Sequence, residues 1–295
     1  MLFKSKNEVF LGISYMVLCM IFFSINDAFI KYILLTYKDI TILGEIIFIR
    51  GVCSTAILGL YLYYNKKITL KVITSKSLHF RGLLESIAAI FFFLGLMYLP
   101  FGELYSLMNL APILITASGA FLLGEKVGWR RWTAVVCGFI GVMIVIQPQN
   151  LKFGFAFIYP LIAAIFISQR DTVTRKFLNE FDSLQVVLVT SFSVTFFFGF
   201  GMFFNYQPIN MEIFLCIFLS AIFVTLGYFF SVLTIKTTTI STTSPFRYTI
   251  IIWGIILGYF MFDELPSITM LFGSLIIIAS GIFIIIRQKQ IGIIK

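Results

Sequence analysis

The chain has 295 residues, of which 60% are apolar and 12% charged, about half the ~25% charged share of a soluble globular domain. At about 20 residues per membrane-crossing helix, ten such helices leave room for loops and tails but none for a separate soluble domain, which excludes an ordinary soluble enzyme. The 22 Lys and Arg outnumber the 13 Asp and Glu to give +9, yet they sit in short gaps between apolar runs, so the excess reads as a membrane-orientation signal and not as a nucleic-acid surface.

Lys4 and Lys6 precede the first apolar stretch, 9–34. Ser24 to Lys31 carry Asn, Asp and Lys where a cleavable leader would need small residues, so this stretch reads as a first span. A second follows at 40–64. The third and fourth, 80–98 and 102–123, are divided at Leu99-Pro100, because proline lacks the N–H a helix interior needs and holds the residue before it extended. Runs without Asp, Glu, Lys or Arg cover 86–102, 104–124, 132–151, 183–211, 213–235 and 265–286. Together with the charge-punctured stretches near 154–175 and 240–262 they predict ten transmembrane helices, an all-α integral membrane protein. Cys19, Cys53, Cys137 and Cys216 each fall in a different apolar run with only His79 to assist them, so neither a disulfide framework nor a metal site is expected. With the N-terminus inside, 17 basic residues lie on the cytoplasmic side, including Lys66, Lys67, Lys71, Lys76 and Arg81, against Lys38 and Lys152 outside. The positive-inside rule then predicts both termini in the cytoplasm.

Two echoes divide the chain. Ser24, Asp27 and Lys31 recur as Ser168, Asp171 and Arg175, and Leu123-Gly-Glu125 recurs as Phe262-Asp-Glu264. Two halves of five spans each, 1–148 and 149–295, have an odd span count, so the second enters the membrane inverted. That is the plan of secondary transporters whose midplane site opens alternately to each side.

Phe121-Leu-Leu-Gly-Glu125-Lys-Val-Gly-Trp-Arg-Arg-Trp132, followed by Gly138-Phe-Ile-Gly141, resembles the helix 4/helix 5 signature of the drug/metabolite transporter superfamily in its ten-span EamA-type branch. The resemblance covers about residues 9–290. The stretch from Ser244-Pro-Phe-Arg-Tyr to Phe262-Asp-Glu-Leu-Pro266, with Asn26-Asp27 and Lys31-Tyr32, is similar to a subgroup that includes bacterial S-adenosylmethionine uptake carriers. The resemblance implies a secondary transporter of the bacterial inner membrane that moves an amino-acid-like or S-adenosylmethionine-like solute, with export of another metabolite as the alternative. It leaves the cargo, the direction and the choice between a coupling proton and a counter-substrate open, and homodimer formation as well.

Charges within the apolar runs are the candidate site, since each costs roughly 2.5–3.5 kcal/mol unless it meets water, protein or a partner. Arg50 or Arg247 could hold a carboxylate through a two-pronged bond, and Asp27 or Glu85 an ammonium, a sulfonium or a proton. The alternative is that these charges pair across helices and fix the packing. Asp27 and Lys31, four apart, share a helix face and are expected to neutralise each other locally; Arg170 and Asp171 read as an interfacial anchor. Tyr105 and Asn109, before Pro112, could present polar groups to a cavity. Tyr248 and Trp253, with Tyr98 and Tyr228, are the aromatics considered for stacking on cargo. Thr237 to Ser244 could supply hydroxyls. Glu125 and Glu264 precede span N-termini, where the helix dipole favours a carboxylate, and Gly138, Gly141, Gly254 and Gly258 suit close helix packing.

The sequence contains no GxxxxGK[ST], HExxH, Cys/His cluster or nucleophile elbow, so neither catalysis nor a cofactor is expected. A lipid-modifying membrane enzyme is the reading from a different class. The expected partners are a small-molecule substrate and membrane lipids, with no nucleic acid.

Overall fold

The computed structural model describes residues 6–111, 113–114, 128–147, 154–174, 180–202, 209–237 and 243–290. Among them the chain is helical throughout, without a strand. In order, the helices are α1 (Lys6–Tyr37), α2 (Leu43–Tyr64), the single turn α3 (Leu70–Ile73), α4 (Lys76–Tyr98), α5 (Phe101–Met108), α6 (Trp129–Ile146), α7 (Ile158–Thr174), α8 (Ser183–Met202), α9 (Met211–Thr237), α10 (Thr249–Phe262) and α11 (Ile268–Gln290). Asn7–Tyr37, Leu43–Tyr64, Lys76–Tyr98, Met211–Thr234 and Ile268–Arg287 are long and apolar enough to cross a membrane, and shorter apolar helices cover Trp132–Ile146, Leu184–Phe200 and Phe246–Phe262.

The breaks follow local chemistry. Leu99 is extended (φ −110°, ψ 149°) ahead of Pro100, ending α4 and starting α5 where the sequence predicts. Lys38 turns through a left-handed conformation, and the Asp39 carboxylate accepts the Thr41 N–H at 2.8 Å. Asp263 (φ 53°) stops α10; a short polar residue tolerates this region best after glycine.

Helices pack mainly against helices far away in sequence. The most extensive pair is α1 with α9, followed by α6 with α11, α2 with α8 and α4 with α7. Their registers run in opposite directions. Along α1, Tyr15, Asn26 and Tyr32 meet Phe230, Ser220 and Glu212 in turn. Along α4, Arg81, Phe91 and Tyr98 meet Thr174, Phe166 and Tyr159. In α2 and α8, Gly51 lies against Thr195 and Gly59 against Leu188. In α5 and α10, Tyr105 lies against Gly254, and Phe101 against Gly258. Gly141 and Gly273 bring α6 and α11 to backbone contact: a Cβ at Gly141 would stand 2.9 Å from the Gly273 carbonyl oxygen. Outside the helices, the Lys67 ammonium donates to Asp182 at 2.8 Å, which holds its pKa above the ordinary lysine value.

Candidate substrate site

At the middle of α1 lies a buried polar knot. The Asp27 carboxylate accepts the Tyr105 hydroxyl at 2.7 Å and the Asn26 amide N–H at 2.8 Å. The Asn26 carbonyl oxygen in turn accepts Ser220 at 2.6 Å and Arg50 at 3.3 Å. Arg50 also lies over the Phe93 ring, 5.2 Å from its centre. Asp27, Arg50 and Tyr105, drawn from α1, α2 and α5, are thus one cluster. Gly254 makes room for it: a Cβ there would stand 2.3 Å from the Tyr105 ring.

The expected Asp27–Lys31 pair does not form. Lys31 is instead bound at one end of the bundle, donating to Glu264 at 2.5 Å and to the Leu99 carbonyl at 2.8 Å, with the Phe101 and Phe262 rings 4.8 and 5.2 Å away. The physical reason is supply. The α4–α5 break leaves the Leu99 carbonyl free of the helix ladder, and Glu264 offers a full charge. Glu264 also differs from expectation, because its second oxygen accepts the Phe101 N–H at 2.8 Å, so the helix start it serves is that of α5 and not of α11. Glu125, its sequence counterpart, lies outside the described residues, as do Pro112 and positions 238–242 of the polar run.

A second charged group joins α4 to α7. Arg170 donates to Glu85 and, at 2.7 and 2.9 Å, to Asp171. Arg170 is therefore not an interfacial anchor reaching for the membrane surface: a carboxylate 85 residues away in sequence is a stronger partner than headgroup water. Arg81, grouped by sequence with the cytoplasmic loop, lies within α4, where it donates to Thr174 at 2.9 Å and to Thr190. It and Arg50 stand within electrostatic reach of Glu85, and all three face Tyr228. Sequence reasoning missed Arg81, and its sign was available: it falls six residues after the Ser75 N-cap, on the helix face of Glu85.

Arg247 lies in the 3₁₀ turn Ser244–Tyr248 ahead of α10 and is exposed. It stands within electrostatic reach of Cys19 on α1 and Asp171 on α7. Among the described residues no carboxylate comes within salt-bridge distance of it. Trp253 packs near Met16, Cys19 and Met20 on α1, and its buried indole N–H has no partner among the described residues. Tyr248 is buried toward α11, its ring in the space left by Gly281, and its hydroxyl is also unpartnered among the described residues. Asn109 turns back on its own helix, its amide donating to the Tyr105 carbonyl at 2.8 Å. Tyr98 is half exposed beside Tyr159 at the end of α4, apart from the charged groups. Among the described residues no three of His, Cys, Asp and Glu are grouped to hold a metal ion.

The charges described above sort into two kinds. Lys31 with Glu264, and Arg170 with Glu85 and Asp171, are ion-paired; Asp27, Arg50, Arg81 and Arg247 are in no salt bridge among the described residues.

Comparison with known proteins places this arrangement. The EamA-like transporter family matches residues 10–147 and again 154–287. The S-adenosylmethionine uptake transporter of Rickettsia felis is 28% identical over 281 residues, covering 95% of this chain and 94% of the relative. An uncharacterized transporter of Helicobacter pylori strain J99 is 25% identical, covering 95% and 96%. A crystal structure of a protein 15% identical superposes with a TM-score of 0.60 over 93% of this chain and 98% of the other, a likeness of fold. With two matches that span nearly all of its length, the chain belongs to the EamA-like transporter family and is a membrane transporter, not an enzyme.

Proposed function

We propose that the protein is an alternating-access secondary transporter of the bacterial inner membrane, moving a small metabolite that bears a carboxylate and a separate cationic centre, of the amino-acid or S-adenosylmethionine type. The observation that carries this reading is a pair of ionisable side chains of opposite sign, Asp27 and Arg247, that are in no salt bridge among the described residues. Arg247 is within electrostatic reach of Cys19, which lies eight residues before Asp27 on α1 and so about 12 Å from it along the helix axis. A solute of several bonds, held by its carboxylate at Arg247 and by its cation at Asp27, would span that separation. Trp253, with an unpartnered N–H, borders the same part of α1 and suits a planar ring with an acceptor nitrogen. The name of the Rickettsia felis relative is in keeping with such a cargo.

Two inverted five-helix halves, with the site between them, complete the reading. The packing supports it. With α3 counted as loop, the second, fourth and fifth helices of the first half (α2, α5, α6) pack antiparallel on the second, fourth and fifth of the other (α8, α10, α11). The first helix of each half packs on the third of the other, as α1 on α9 and α7 on α4. Exchange of the halves carries this pattern onto itself, and antiparallel equivalents require an axis in the membrane plane.

The test is uptake into proteoliposomes containing only this protein, with radiolabelled S-adenosylmethionine, amino acids, nucleosides and organic acids, with and without internal counter-substrate. Saturable uptake of S-adenosylmethionine or an amino acid is expected. Uptake confined to neutral sugars or nucleosides would overturn the charge assignment.

A further inference from the structure

We infer that Asn26 is a positioning residue that keeps Asp27 out of a salt bridge with Arg50, so that the Asp27 carboxylate receives the cationic centre of the cargo. The inference rests on the transport reading above and adds the residue that sets its charge selectivity.

The geometry at Asn26 is that of a spacer. It is buried, its amide N–H donates to Asp27 at 2.8 Å, and its carbonyl oxygen takes both the Ser220 hydroxyl at 2.6 Å and an Arg50 N–H at 3.3 Å. The neutral amide thus stands between the two opposite charges nearest the middle of α1. Arg50 stops at the amide oxygen, and its guanidinium is further occupied by the Phe93 ring. Among the described residues the hydrogen-bond donors to Asp27 are neutral, the Tyr105 hydroxyl and the Asn26 amide, with Arg50 within electrostatic reach beyond them. Two neutral hydrogen bonds orient a carboxyl group without supplying a counter-charge, which leaves that place to a cationic ligand.

The second half supplies the contrast. In the echo of Ser24-Ile-Asn26-Asp27 by Ser168-Gln-Arg170-Asp171, the position of Asn26 is taken by Arg170. Both residues bind the aspartate that follows them, and both reach a third-helix residue of the opposite half, Ser220 on α9 for Asn26 and Glu85 on α4 for Arg170. The construction is shared, but Arg170 forms a salt bridge with Asp171, whereas Asn26 gives Asp27 a neutral hydrogen bond and, among the described residues, Asp27 is in no salt bridge. One carboxylate is structural and the other is available, and the residue preceding it makes the difference. Because the ammonium of an amino-acid group is bonded next to its carboxylate, it stays with the Arg247 end; the centre that reaches Asp27 is one set further along, such as a sulfonium.

Asn26→Arg copies the second-half arrangement and Asn26→Leu removes the acceptor that detains Arg50; each is expected to neutralise Asp27 from within. The probes are S-adenosylmethionine and S-adenosylhomocysteine, which lacks the methyl group and the sulfonium charge. In proteoliposomes, the wild type should prefer S-adenosylmethionine. Both variants should raise its KM by about tenfold or more, with the KM of S-adenosylhomocysteine little changed, so that the preference collapses. Asn26→Gln, which keeps the amide, should retain it. A well-inserted Asn26→Arg or Asn26→Leu protein that keeps the wild-type preference overturns the inference and leaves the transport reading standing, as does a wild type that takes up the two equally. Absence of uptake of either probe by the wild type, with amino acids also rejected, overturns both.

Discussion

Burying a guanidinium without a counter-ion is costly, and Arg247 avoids that cost by being exposed in a turn between helices, within reach of α1 and α7. Lysine preserves its charge but not its planar fork. Arg247→Lys should therefore weaken carboxylate-bearing cargo by about tenfold, and Arg247→Ala should nearly abolish uptake while the protein still inserts; unchanged kinetics in a folded Arg247→Ala protein would remove it from the site. Arg170 calls for a different assay. Its loss strands Glu85 and Asp171 together, so Arg170→Leu should lower stability by about 3–5 kcal/mol, visible as a fall in thermal unfolding temperature in detergent. Adding Glu85→Gln and Asp171→Asn should recover part of the fall, and equal melting of all three proteins would argue against a structural ion pair. The list of buried charges was legible in the sequence because a bilayer makes each one conspicuous. Their partners were not: Lys31 and Glu264 are 233 residues apart, and the local choice, Asp27, lost to a carboxylate that only tertiary packing brings near.

At the scale of the helix, the α4–α5 break was legible because proline constrains its own φ and its predecessor's ψ wherever it stands. Close packing of α6 was legible too, from Gly138 and Gly141, although the identity of the facing helix was not. The partner backbone at Gly273 sits so near that a Cβ there would lie 2.6 Å from the Gly141 carbonyl oxygen. Carbonyl groups cannot be repacked as side chains can. Gly273→Leu should therefore separate α6 from α11 at a cost of about 1–3 kcal/mol, whereas Ile276→Leu nearby should cost less than about 1.5 kcal/mol. Comparable melting temperatures for the two variants would show that α6 and α11 accommodate a large side chain at their crossing.

For the molecule as a whole, the 17-to-2 distribution of basic residues predicts an orientation that can be checked in intact cells. Single cysteines placed by Ser75→Cys and Asn150→Cys in a cysteine-free background should respond oppositely to an impermeant thiol reagent, with position 150 labelled and position 75 protected. The reverse pattern would invert the protein and exchange the faces to which its two ends belong. The proposed division into two halves rests, in the sequence, on two short echoes, and the contacts between helices on either side of it were not legible, since an echo reports kinship between segments and carries no information about which helix each will touch.

Those contacts between helices have a consequence for synthesis. Among the described residues, the extensive helix contacts join residues before 147 to residues after 154, and contacts within either half are sparse. When the first half has entered the bilayer, its glycine notches and the polar flank of α1 still await partners that the ribosome has not yet made. The early chain is therefore held together by its loops and by lipid, and it is at this stage that membrane proteases and insertase chaperones have the most to recognise. Expressed alone, residues 1–148 should be degraded rapidly, and co-expression with residues 149–295 from a second message should rescue both pieces; pulse-chase lifetimes would report it, and a long-lived first half on its own would show that its five helices form a stable unit unaided.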